Sequence, residues 1–143
     1  MLVDANILLF ATDESSPFHR SAADWLTEQL TGPRRVGLPW PVLVAFLRLA
    51  TNPRVWRTPL SPEEAWAQVE GWLEAEMTWI PAETNRHAEL LGSLVVSYQL
   101  RANQIPDAHL AALAIEHGLT IYSADTDFAR FREIEWQNPI GGA

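Results

Sequence analysis

The sequence predicts an α/β fold with a mainly parallel central sheet covered by helices on both faces, in three layers. The first observation is that short apolar segments alternate with longer segments whose apolar residues recur at helical spacing. Strands that are joined through helices form parallel sheets with helices on both faces. The second observation is size, because 143 residues, of which 48% are hydrophobic, suffice for one core. We therefore expect a single domain over residues 1–143.

The N-terminal half begins with a short apolar strand that ends on the carboxylate of Asp4. Asn6 is a suitable N-cap for the helix that follows, and Pro17 opens a second helix. Ser61 and Pro62, followed by two glutamates, are typical of a strong helix start. The predicted helices cover residues 6–11, 17 to about 32, 40–50 and 61 to about 76, and the second strand covers residues 35–39.

The C-terminal half alternates in the same way. Pro106 opens a helix that Gly118 ends, and an apolar strand follows it directly. A short helical turn precedes the last strand. The predicted strands cover residues 77–80, 119–122 and about 134–136, and the predicted helical segments cover residues 83–100, 107–117 and 128–131.

Composition excludes several classes of protein. There is no cysteine, which excludes a disulfide scaffold and thiolate metal sites. The formal charge of -8 argues against a protein that coats nucleic acid through a basic surface, although an enzyme that uses metal ions and a local arginine patch remains possible. All ten basic residues are arginine. No stretch has transmembrane length and Asp4 interrupts the first apolar run, so we expect no membrane partner and a cytoplasmic setting.

Acidic residues from three chain segments are predicted to meet at one edge of the sheet. Asp4 closes the first strand, and Asp125 and Asp127 follow the strand at 119–122, so all three lie at the carboxyl edge. Asp107 begins the helix that leads into that strand. Such a helix runs antiparallel to the strands, so its N-terminus lies at the same edge. Functional crevices of α/β sheets lie there.

Clustered carboxylates repel one another unless a positive charge lies among them. Oxygen donors without cysteine suit Mg²⁺ or Mn²⁺, and such ions support hydrolysis of phosphodiesters or phosphoryl groups. Each acid also has a separate structural explanation. Asp107 could be a helix-start acid favoured by the dipole, Asp125 and Asp127 could be loop and cap residues, and Asp4 could cap the first helix.

Five stretches of the chain match a known family in order and spacing. The chain resembles PIN-domain ribonucleases and, more closely, the VapC-type toxins of bacterial toxin–antitoxin pairs. The matching stretches, which span the whole chain, are residues 2–6, 38–43 with 46–48, 51–54, 107–114 and 123–128.

The resemblance implies a PIN-like fold and an Mg²⁺- or Mn²⁺-dependent endoribonuclease that arrests growth by cutting structured RNA, often tRNA or rRNA. It also implies a homodimer and a cognate VapB-type antitoxin. By position, Asp4 and Asp107 correspond to the principal catalytic metal ligands, and Asp125 corresponds to a third acid. Asn6 corresponds to a supporting polar residue, and Asp127 to a less regular acid that acts through water.

One departure from the family leaves two other hypotheses open. Many relatives have a glutamate in the helix after the second strand, where this chain has Ala45. Asp127 is the nearest candidate to replace that ligand. Without a replacement, the loss would fit a non-catalytic PIN module that binds RNA or an antitoxin. A metal-dependent phosphatase or DNA nuclease could also use the same acids.

Three arginines are candidates for RNA contact. Arg48 lies three residues beyond Ala45 on the same helical face, where it could hold a phosphate or pair with the acids. Arg54 and Arg57 flank a tryptophan in a loop suited to backbone contact and stacking, although that tryptophan could equally pack on the core. His109 is two residues from Asp107, so it is expected to face elsewhere on its helix and to be a structural histidine.

Overall fold

The computed structural model describes residues 1–141. Its five strands form one sheet in the order β3-β2-β1-β4-β5, in which every neighbouring pair is parallel. The strands are β1 (Leu2–Val3), β2 (Val36–Gly37), β3 (Thr78–Trp79), β4 (Ile121–Tyr122) and β5 (Trp136–Gln137). The predicted α/β class with a parallel sheet is confirmed.

Six α-helices connect these strands, and the connections assign them to the two faces of the sheet. The helices are α1 (Ala5–Thr12), α2 (His19–Leu30), α3 (Trp40–Ala50), α4 (Pro62–Glu74), α5 (His87–Ser97) and α6 (Ile105–His117), with 3₁₀ turns at Ala102–Gln104 and Thr126–Arg130. Right-handed crossovers place α1 to α4 on one face and α5 and α6 on the other. The packing agrees, because α1 contacts α2 and α3, α3 contacts α4, and α5 contacts α6.

The central strand β1 is buried in the core and ends at the candidate site. Leu2 and Val3 are fully buried between β2 and β4. The chain leaves β1 towards β2 on one side and returns to β4 on the other, so the strand order reverses between β1 and β4. This reversal opens a crevice at the carboxyl ends of these two strands, where Asp4 follows β1.

Several predicted helix boundaries differ from the structure. Asp4, not Asn6, caps α1, because its Oδ1 accepts a hydrogen bond from the Ala5 amide at 2.8 Å. The helix predicted over residues 83–100 begins only at His87, since the Thr84 amide donates to the side chain of Glu116. It ends at Ser97, because Gln99 has a φ of 52°.

Smaller differences affect other boundaries. The helix α2 begins two residues later than predicted, at His19, and the last strand is displaced to Trp136–Gln137. The predicted start of α4 is confirmed by a capping box between Ser61 and Glu64. Gly118 ends α6 with a φ of 63°, as its position predicts. No helix within residues 1–141 combines the length and the hydropathy that a membrane crossing requires.

Candidate metal centre

Three of the predicted acids converge at the crevice. Asp107 lies in the first turn of α6, Asp125 follows β4, and Asp127 lies in the 3₁₀ turn after it. One carboxylate oxygen from each residue lies within 4.8 Å of the other two. These distances are short enough for one ion to contact all three groups.

Asp4 borders this cluster without belonging to the closest group. Asp4 lines the same pocket as Asp107, its charge raises the pKa of Asp107, and the charge of Asp125 raises the pKa of Asp4. Much of its bonding capacity is used inside the protein. Besides capping α1, it accepts hydrogen bonds through Oδ2 from Ser123 Oγ at 2.7 Å and from Asn6 Nδ2 at 3.3 Å.

Asn6 and Ser123 fix the orientation of the Asp4 carboxylate. Asn6 Nδ2 also donates to Ser123 Oγ at 2.9 Å, and Asn6 Oδ1 accepts from the amide of Ala124 at 3.1 Å. The Ser123 hydroxyl accepts a further bond from the Asp125 amide at 3.0 Å. The network therefore ties the end of β1 to the loop after β4. Ser123 is fully buried.

Sequence reasoning did not assign a role to Ser123, although it lies in one of the stretches that match the family. The available signal is a serine two residues before Asp125, directly after an apolar strand. Arg130 was also missed. Its Nη2 lies 3.7 Å from Asp127 Oδ1, and its Nε donates to the Asp127 carbonyl oxygen at 3.1 Å. No sequence pattern distinguishes this arginine from the other nine.

The pKa values of Asp107 and Asp4 are raised. Burial is the largest cause of the shift at Asp107, and the negative charges of Asp125, Asp4 and Asp127 add to it. Together they raise the Asp107 pKa to about 6, against the opposing effect of Arg130. Burial also raises the pKa of Asp4, although the hydrogen bonds from Ser123 and Ala5 counteract it. A bound cation would relieve this repulsion.

The three candidate RNA-binding arginines are all exposed, and none lines the pocket beside the acids. Arg48 continues, one turn further along α3, the stripe of residues that faces the crevice. The loop with Arg54 and Arg57 lies beside the C-terminal end of α1, which is one helix length, about 12 Å, from Asp4. Trp56 between them is buried in the core, as the alternative interpretation predicted.

His109 belongs to a hydrogen-bonded chain, as expected of a structural histidine. Its Nδ1 lies 3.0 Å from His87 Nε2, and His87 Nδ1 lies 2.6 Å from Glu116 Oε2. On the other side of the ring, His109 Nε2 lies 3.0 Å from Glu83 Oε1. Its partners are His87 and Glu83, whereas Asp107 meets Asp125 and Asp127, although both residues line one pocket at the start of α6.

Removal of the Ser123 hydroxyl is expected to damage both stability and the site. In Ser123→Ala, the Asp125 amide and the Asp4 carboxylate each lose a buried partner, so the free energy of unfolding should fall by about 1–3 kcal/mol. Chemical denaturation measures this loss. Ser93→Ala, the same change at an exposed position of α5, is the matched control. An equal effect of the two variants would contradict the role assigned to Ser123.

The class of protein that this fold defines is the PIN domain, and a family model of that description matches residues 1–134. The chain is 43% identical over 138 residues to Ribonuclease VapC37 of Mycobacterium tuberculosis, with 96% of each chain covered. It therefore belongs to the VapC family of PIN-domain proteins, as the resemblance predicted.

Solved structures agree with this fold. VapBC2 from Rickettsia felis bound to a DNA fragment from their promoter contains a chain that matches with a TM-score of 0.70 and 14% identity, over 96% of both chains. VapC20 of Mycobacterium tuberculosis, described as a Sarcin-Ricin loop cleaving toxin, matches with a TM-score of 0.67 and 20% identity. The match covers 94% of this chain and 98% of VapC20. At these identities the likeness concerns the fold.

Proposed function

We propose that this protein is a divalent-metal-dependent endoribonuclease. The observation that carries the proposal is the convergence of carboxylate oxygens from Asp107, Asp125 and Asp127 within 4.8 Å, beside the partly buried Asp4. Carboxylates at these distances repel one another, and a cation bound among them would offset that repulsion. The 43% identity to a protein named a ribonuclease supports RNA as the substrate class.

The donors present fit Mg²⁺ or Mn²⁺. All are carboxylate oxygens, which hard divalent cations prefer. The pKa of Asp107 is raised by burial and, after that, by the negative charges of its neighbours. Asp4, Asp107 and Asp125 would hold the ion, with Asp127 at the exposed side of the site. When bound, the ion supplies a Lewis acid that promotes the ionisation of water and offsets phosphate charge.

The protein's own side chains orient and bind. Ser123 and Asn6 hold the Asp4 carboxylate in one orientation, so that it requires little reorganisation when a cation and substrate arrive. Arg130 places a positive charge beside the cluster, where it can contact a substrate phosphate. Arg48 is suited to a phosphate further along the RNA, and Arg54 and Arg57 to a more distant part of the backbone.

The physiological role that fits this activity is that of a toxin. A cognate VapB-type antitoxin would neutralise it, and the cleaved RNA would be tRNA or rRNA in the cytoplasm. The structural relatives support this setting, since one is a VapBC assembly and another is described as cleaving the Sarcin-Ricin loop. A homodimer is part of the same proposal.

Incubation of the purified protein with total RNA tests the activity. We expect discrete fragments in Mg²⁺ or Mn²⁺, and none after EDTA is added. Parallel reactions with DNA and with p-nitrophenyl phosphate address a DNA nuclease and a phosphatase. If the protein neither binds Mn²⁺ nor cuts any RNA, it is instead the non-catalytic PIN module that the alanine at position 45 suggests.

A further inference from the structure

An apolar pocket of about 450 Å³ adjoins the candidate metal centre. Its walls come from both sides of the sheet, with Val42 and Ala45 from α3, Leu91 from α5, and Ile105 from the start of α6. Asp4 and Asp107 also line it. The pocket and the acid site therefore share two carboxylates and form one continuous crevice.

Ala45 keeps this pocket open. Pro41, Val42 and Ala45 form the stripe of α3 that faces the cavity, and Ala45 has the smallest side chain of the three. A long side chain at position 45 would extend into the cavity beside Asp4. Ala45 cannot bind a metal ion, but its small side chain leaves space beside the carboxylates.

One polar side chain is held rigidly in the pocket wall. His109 lines the cavity, and its ring packs edge-on against His87, with ring centroids 4.6 Å apart. His87 is held in turn by the 2.6 Å contact with Glu116. Glu116 is itself fixed by hydrogen bonds from the amide and hydroxyl of Thr84. A mostly apolar cavity with one fixed polar group is typical of a small-molecule subsite.

The charged residues that line the pocket indicate which kind of group can bind there. Among the described residues that line it, the fixed charges are the two carboxylates, and no arginine takes part. The apolar walls offer no positive side chain to a phosphate, whereas a neutral, flat ring would bury its faces against them. In a nucleotide the neutral ring is one ribose away from the phosphate. A phosphate at the acid cluster would thus bring its attached base to the pocket.

We infer that this pocket receives the base of a nucleotide that flanks the cleaved phosphodiester and thereby contributes to the choice of cleavage site. The inference rests on the proposed ribonuclease function. It adds a base-binding subsite formed by Ala45, Leu91 and His109 to the metal-binding acids.

The test uses a synthetic RNA hairpin that contains the cleavage site mapped on total RNA. Versions with an abasic nucleotide on either side of the cut are compared with the intact hairpin. We expect kcat/KM to fall at least tenfold for one of the two abasic hairpins. Ala45→Leu fills the pocket and should lower kcat/KM for the intact hairpin to a similar degree. For that abasic hairpin, the same variant should lower kcat/KM less than threefold.

Two further variants keep this test decisive. Val44→Leu places the same side chain on the neighbouring, exposed position of α3 and should cleave both hairpins as the wild type does. Leu91→Phe fills the pocket from its other wall and should reproduce the effect of Ala45→Leu. It replaces that variant if Ala45→Leu does not fold.

Other results would overturn the inference in distinguishable ways. If the wild type cleaves no RNA, the proposed function fails and the subsite falls with it. If the wild type cleaves but neither abasic substitution nor pocket filling changes kcat/KM, only the subsite is wrong. If pocket filling weakens binding of a co-expressed antitoxin while cleavage is unchanged, the occupant is a side chain of that protein instead of a base.

Discussion

Replacement of Asp107 by asparagine is expected to abolish RNA cleavage and, at the same time, to stabilise the metal-free protein. Burial and the charges of Asp125, Asp4 and Asp127 raise the pKa of Asp107 to about 6, so its ionised form is unfavourable in the fold. The asparagine side chain would keep the shape of the aspartate and remove its charge. Cleavage should fall by about 100-fold or more, because a proposed metal ligand is lost.

The stabilisation has a defined pH dependence. The Asp107 pKa rises from 3.8 in the unfolded reference to about 6 in the folded protein. Its protonated form therefore favours folding below pH 3.8, and this contribution is lost as the pH rises to about 6. Above that, Asp107→Asn should be more stable than the wild type by about 1 kcal/mol, or about 3 °C in Tm, given partial exposure to solvent.

Thermal melts of both proteins in EDTA between pH 4 and 8 measure this difference. Asp24→Asn, the same change on the exposed face of α2, serves as the control and should show no pH-dependent gain. If Asp107→Asn is less stable than the wild type at pH 8, the charge repulsion inferred at the site is wrong.

The second large effect is expected from Asp4→Asn. Asparagine is a good N-cap, so Oδ1 can still accept from the Ala5 amide and α1 should form. The amide nitrogen would replace Oδ2 and face the donor group of Asn6, which lies 3.3 Å from Oδ2 in the wild type. We expect a stability loss of about 1 kcal/mol but a loss of cleavage of about 1,000-fold or more.

Two measurements separate these effects for Asp4→Asn. Circular dichroism and a denaturant titration should show a folded protein, while RNA cleavage and growth inhibition on expression are lost. Asp24→Asn should retain both activities. Cleavage by Asp4→Asn within tenfold of the wild-type rate would show that the carboxylate of Asp4 is not part of the catalytic site.

The alternation of segments was sufficient to predict the fold class, because periodicity and chain direction are local properties. The start of α4 at Ser61 and the end of α6 at Gly118 were predicted for the same reason, since capping is local. The start of α5 was not. It depends on a bond between Thr84 and Glu116, which are 32 residues apart, and no local pattern encodes that contact.

Some features of the candidate site could be predicted from sequence and others could not, for the same reason. Strand direction and helix polarity predicted that Asp107 would meet Asp125 and Asp127 at the carboxyl edge, and their distances agree with this. The bond between Ser123 and Asp4 spans 119 positions, so sequence alone could not identify Ser123 as the residue that orients Asp4. The pocket beside Ala45 depends on how α3, α5 and α6 pack, which sequence periodicity does not specify.

The most direct test of the central claim is a calorimetric Mn²⁺ titration of the wild type and Asp107→Asn at pH 7.5, with no RNA present. We predict saturable Mn²⁺ binding by the wild type, at least tenfold weaker binding by Asp107→Asn, and binding by Asp24→Asn equal to that of the wild type. Equal affinity of the wild type and Asp107→Asn, or no binding by either, would contradict a metal centre built on these acids.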